Sequence, residues 1–75
     1  MKSTQQQARI EVESSSVSSV GYDSSLSTLE IEFRNGGVYQ YFAVPASVHE
    51  ALMRSESKGA FVSRLVRDAY PFARL

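Results

Sequence analysis

Thr28-Leu29-Glu30-Ile31-Glu32-Phe33-Arg34-Asn35-Gly36-Gly37-Val38-Tyr39-Gln40-Tyr41 is the stretch that decides the fold. Leu29, Ile31 and Phe33 alternate with Glu30 and Glu32, the period-2 pattern of an antiparallel strand with one buried face. Asn35-Gly36 follows, and these residues accept the positive φ that tight hairpin turns need. A second strand is therefore predicted from about Val38 to Val44, with Pro45 ending it. Its register depends on the turn. A two-residue turn at Asn35-Gly36 pairs Phe33 with Val38 and leaves Tyr39 and Tyr41 beside the glutamates. A three-residue turn, with Gly36 as a left-handed bulge residue, pairs Phe33 with Gly37 and moves both tyrosines to the Leu29/Ile31/Phe33 face. The second is preferred, because it gathers the large rings on the face that is already apolar. Val38, Phe42 and Val44 then fall opposite, so that face must be partly covered too. Glu30 and Glu32, ~7 Å apart by strand geometry, are read as a solvated face that discourages edge pairing rather than as paired catalytic carboxylates.

Toward the N-terminus, Val17-Ser18-Ser19-Val20-Gly21-Tyr22 reads as a strand that stops at the turn-forming run Asp23-Ser24-Ser25. Gly21 within it suggests a bulge or a close backbone approach. Ile10 and Val12 alternate briefly with Glu11 and Glu13 before the serines at 14, 15 and 16 interrupt, a short strand at most. Residues 1–8 are polar and glutamine-rich and are expected to be frayed or disordered. Toward the C-terminus, Val48, Ala51 and Leu52 mark a short amphipathic helix that Ser55-Glu56-Ser57 breaks. Ser57 suits the N-cap of a second helix, with Phe61, Val62, Leu65, Val66 and Ala69 as its apolar stripe and Ser63, Arg64 and Arg67 outward. Pro71 stops this helix near Tyr70 and leaves Phe72-Ala73-Arg74-Leu75 as a tail whose Phe72 can dock on the domain. The expectation is one α+β domain over residues 9–75: a three-stranded antiparallel meander followed by two short helices packed on one sheet face.

With 75 residues, no cysteine and a single histidine, neither disulfides nor a zinc site of the usual ligand sets can brace the fold, and thiol chemistry is excluded. The N-terminus carries no apolar run suited to a secretory signal and no segment approaches a membrane span, so the expectation is a soluble cytoplasmic protein. Net charge is zero but unevenly spread. Residues 1–50 hold three basic and six acidic side chains, whereas residues 51–75 hold five basic and two acidic. Any anion-binding surface therefore belongs to the C-terminal part.

His49 has no sequence neighbour that could complete a triad or a metal site, Glu50 pointing elsewhere on a helix, and is read as an ordinary surface histidine. No serine sits in a Gly-x-Ser-x-Gly elbow. No enzyme activity and no cofactor are expected. Ser57-Lys58-Gly59-Ala60 at a helix start offers free N–H groups and a cation to an anion, but is first of all a capped helix with a permissive glycine. Lys58, Arg64, Arg67 and Arg74 beside Tyr70 or Phe72 combine phosphate-binding and base-stacking groups; a solvated helix face is the plainer reading.

Ser19-Val20-Gly21-Tyr22-Asp23, the Leu29/Ile31/Phe33 alternation, Gly36 before Tyr39-Gln40-Tyr41, Val44-Pro45, Ser57-Lys58-Gly59 and Arg67-Asp68-Ala69-Tyr70-Pro71 occur in this order. Together they make the chain from about Ser15 onward resemble the KTSC domain, a module found at the C-terminus of some lysyl-tRNA synthetases and also free-standing in bacteria. The resemblance implies the α+β fold and, through the synthetase context, suggests RNA as a partner. Tyr22, Tyr39, Tyr41, Pro45 and Tyr70 are its motif residues, read as structural. The function expected is a small non-catalytic binding module for a protein or RNA partner, without membrane association, as a monomer or homodimer. Its alternatives are weak RNA binding through Lys58, Gly59, Arg64, Arg67 and Arg74, and a homodimerising structural protein using a free sheet edge or an uncovered apolar face.

Overall fold

The computed structural model describes residues 9–75, and the expectation for residues 1–8 lies outside the described residues. Five strands, β1 (Ile10–Glu11), β2 (Val17–Asp23), β3 (Thr28–Phe33), β4 (Val38–Tyr41) and β5 (Phe72–Arg74), form one antiparallel sheet in sequential order. Between β4 and β5 lie the helices α1 (Ala46–Arg54) and α2 (Lys58–Phe61), the latter running into a π-helical turn over Val62–Val66. The three predicted strands are thus the centre of a five-stranded sheet. The expected count of three is corrected: β1 is the short strand suggested at Ile10, and β5, with three residues, is too short to show a period. They are recruited by the unpaired N–H and C=O groups at the edges of β2 and β4.

The hairpin takes the three-residue turn. Ile31 pairs with Tyr39 and Leu29 with Tyr41, Phe33 N–H donates to Gly37 O at 2.8 Å, and Gly36 sits at φ +98°. Asn35 Oδ1 accepts from Gly37 N at 2.9 Å and braces the bend. The strand-two irregularity lies between Val17 and Ser19 rather than at Gly21, which pairs in register with Glu30. That bulge lets both Val17 and Val20, three apart, face the core. β4 ends at Tyr41, short of the expected Val44, since Ala43 adopts φ +61° and turns the chain away.

Val17, Val20, Leu29, Ile31, Tyr41, Val44, Leu52, Val62 and Val66 form the core between the helices and one sheet face. Each such aliphatic side chain contributes about 2 kcal/mol of transfer free energy when fully buried. Pro45 precedes α1 as its N-cap residue, and Tyr22 Oη donates to Val44 O at 2.6 Å, fixing the strand-to-helix corner. Ser57 caps α2 as its sequence predicts, accepting from Ala60 N at 3.2 Å. The stripe beyond it is only partly inward. Val62 and Val66 are buried and Phe61 half-buried, but Leu65 is 56% exposed and Ala69 is exposed. Arg67 N donates to Val62 O, a five-residue step, and this wider winding carries Leu65 and Ala69 off the face that a 3.6-residue period assigns them.

Candidate functional site

The register that buries Tyr41 also builds a cleft. A groove of roughly 570 Å³ lies between the sheet and the second helical segment, floored by Phe33, Tyr39, Tyr41 and Phe72. Its wall is Gly59, Val62, Ser63, Arg67 and Asp68, and Ser16 and Asn35 also line it. The rings form one contiguous platform: Tyr39 meets Phe33 edge-on at 5.5 Å and Phe72 at 5.6 Å, while Tyr41 lies 5.8 Å from Phe72. Tyr41 is 3% exposed, whereas Phe72 is 54% exposed at the rim. Burial pushes the Tyr41 phenol above its ordinary value, Tyr39 adds to this, and the Arg67 guanidinium opposes it. The Tyr41 phenol is therefore uncharged at neutral pH.

Cations meet this floor from two elements. Arg74 on β5 places its guanidinium carbon 5.6 Å from the centre of the Tyr39 ring, within cation–π range. Arg67 lines the opposite wall. Gly59 forms the narrow part of that wall: a Cβ there would stand 2.1 Å from Ser16 Oγ, so the glycine lets α2 approach the loop before β2. Of the five residues named from sequence for anion contact, the fold brings Gly59 and Arg67 into the lining of this cleft and sets Arg74 over the Tyr39 ring of its floor. Lys58 turns back instead, its Nζ donating to Ser55 O at 2.7 Å beyond α1, and Arg64 is exposed on the π turn. Tyr22, Pro45 and Tyr70 hold the fold: Tyr22 and Pro45 at the corner described above, Tyr70 packed against the core. Sequence reasoning missed Phe33, Ser16, Asn35 and Asp68 as lining residues. The spacing of Phe72 and Arg74, two apart and hence on one side of a strand, was the signal available for β5.

The other sheet face corrects a second expectation. Glu30 is fully buried rather than solvated. It accepts from Arg9 Nη1 and from Gln40 Nε2, the latter at 2.9 Å. Ser19 Oγ accepts from Arg9 Nε at 3.0 Å and donates to Glu32 Oε1 at 2.8 Å. Alternation reports which side of the sheet a residue takes, not whether that side is covered, and the Arg9 side chain, 19% exposed, supplies cover here. Among the described residues, no group of His, Cys, Asp and Glu is arranged to hold a metal ion, and no helix is long and apolar enough to cross a membrane.

His49 is not a free surface residue. Its ring stacks on Tyr22 with centroids 4.7 Å apart and planes 10° from parallel. Burial lowers its pKa, against a smaller opposing pull from Glu50. Below about pH 6.5 the unfolded chain takes up a proton that the native state resists. Stability is therefore expected to decline as pH falls from about 6.5 toward the depressed native value. Thermal unfolding at pH 7.5 and 5 should show it, and His49→Phe, which keeps the stack, should shrink the difference. An unchanged difference in that variant would place the pH dependence elsewhere.

Comparison with known proteins accounts for this architecture. The KTSC domain model matches residues 13–70. An uncharacterized protein of Stutzerimonas stutzeri is 39% identical over 62 residues, covering 83% of this chain and 87% of that protein. A lysine–tRNA ligase of Nostoc punctiforme is 38% identical over 63 residues, which cover 84% of this chain but only 11% of the ligase. In the crystal structure of a KTSC domain protein from Yersinia pestis, 36% identical, the fold superposes with a TM-score of 0.89 over 93% of this chain and 99% of that one. The pieces that carried the resemblance in sequence are brought together by the fold, Tyr39, Tyr41, Gly59, Arg67 and Asp68 around one cleft and Tyr22 and Pro45 at one corner, and the chain belongs to the KTSC domain family.

Proposed function

We propose that this protein is a non-catalytic binding module whose cleft receives single-stranded RNA. The observation that carries the reading is the meeting of two guanidinium groups, from Arg67 and Arg74, with an aromatic platform whose outer ring, Phe72, is open to solvent. Bases stack on such rings in a sequence-tolerant way, and arginines beside them take the phosphates. Asp68 in the same wall offsets part of the positive charge beside Arg67 and keeps affinity modest. The tRNA-charging relative that carries a matching segment supports RNA as the ligand class. The cationic contribution comes from the cleft margin, not from a strip along the second helix, because Lys58 is engaged with Ser55 O.

Titrating isotope-labelled protein with short single-stranded RNA is expected to shift the amides of Tyr39, Phe72 and Arg74 at low salt. With about two phosphate contacts, log affinity should fall against log salt with a slope near −1.4. Arg74→Glu should weaken binding roughly tenfold. Absence of shifts at low salt, or shifts confined to the Arg9/Glu30 face, would rule the reading out.

A further inference from the structure

β5 is the last strand of the sheet, and its outer edge is unpaired among the described residues. Phe42 N donates to Pro71 O and Leu75 N to Val38 O, so the polar groups of residues 71 and 75 face β4. By strand alternation those of Phe72 and Arg74 face outward. Phe72 and Leu75 are 54% and 50% exposed, a concentration of apolar surface beside an open ladder. Natural sheets usually blunt such an edge.

We propose that this edge pairs antiparallel with β5 of a second copy of the chain, centred on Ala73. The register follows from the residues. Centring on Ala73 uses both outward-facing residues of each strand, forming about four main-chain hydrogen bonds. It sets Phe72 opposite Arg74 of the partner subunit and Arg74 opposite Phe72 of the partner subunit. Centring on Arg74 would oppose two guanidinium groups, and centring on Phe72 would set Arg74 against position 70, which lies outside β5. In the Ala73 register Arg74 has a ring on each side, Tyr39 in its own chain and the partner's Phe72 across the new pair. The pairing is isologous and closes as a dimer, whereas the other edge offers, among the described residues, only the two residues of β1. Both helical layers lie on the same side of the joined sheet, and the partner's Arg74 reaches the mouth of the neighbouring cleft. A strand pair this short buries little area, so the dimer is a weak one. The inference stands apart from the RNA reading, and its test uses the chain alone.

Sedimentation equilibrium of the full chain from about 10 µM to about 1 mM should show the monomer giving way to a dimer. Phe72→Lys places an ammonium opposite the partner's Arg74 and should abolish association. Phe72→Glu places a carboxylate there and should retain or strengthen it, although it removes the same ring. A monomer throughout the range overturns the proposal. So does equal weakening by both variants, or indifference to both, since either places any association on another surface.

Discussion

Replacing Arg9 with alanine is expected to remove about 3 kcal/mol of stability, the cost of stripping one partner from a buried ion pair. Glu30 is fully buried, and the Arg9 guanidinium is the cationic group bonded to it among the described residues. The same guanidinium donates to Ser19 Oγ, which in turn holds Glu32, so the substitution also removes the donor to a hydroxyl oxygen whose residue is only 4% exposed. For a chain of this length, total stability is about 4–11 kcal/mol. The loss is therefore a large fraction of the whole, and urea unfolding should report it as a clear drop in midpoint. Arg64→Ala, at an exposed position, should change the stability by less than about 0.5 kcal/mol and leave the midpoint nearly unmoved. Equal effects at Arg9 and Arg64 would mean that the network contributes nothing to the fold.

Tyr41→Ala is expected to cost about 3–4 kcal/mol, in the range for deleting a buried aromatic ring. Tyr41 is 3% exposed and touches both the core and the floor of the cleft. Val38, half-buried on the opposite side of the same strand, should cost about 1 kcal/mol or less when cut to alanine. This ordering tests the register itself. With a two-residue turn Val38 would be core and Tyr41 surface, and the two costs would exchange places. Titration carries a second signature of the same burial. The phenol pKa is raised in the native state, so the stabilisation is complete below about pH 10 and is lost as pH climbs through the raised value. Tyr41→Phe should flatten that alkaline limb.

The candidate site was legible only in fragments. Gly59, Arg67 and Arg74 were singled out for charge and for a permissive backbone; Gly59 and Arg67 line the cleft and Arg74 sits over its Tyr39 ring, as parts of different elements rather than as one helical strip. Tyr39 and Tyr41 were read as structural, and they are also the floor of the groove. Lys58 left the set because its ammonium satisfies the Ser55 carbonyl beyond the end of α1, a partner three residues away that charge counting does not reveal. Arg9 entered no functional or structural reckoning, since an isolated arginine before a two-residue strand has no periodic context.

What the sequence determined by itself is everything that local chemistry controls. Alternation identified β3, Asn35-Gly36 and the clustering of rings selected the three-residue turn, Pro45 and Ser57 marked the helix starts, and the order of these pieces identified the family. Apart from that order, which runs along most of the chain, each depends on residues close in sequence, where backbone sterics, alternation and capping bonds act. Only the tertiary structure decided the rest: β5 and the pairing of both short edge strands, the burial of Glu30 under Arg9, and the placement of Arg74 over Tyr39. These depend on partners twenty or more residues apart or on the demand of an existing sheet edge for hydrogen bonds. Neither leaves a period or a motif along the chain.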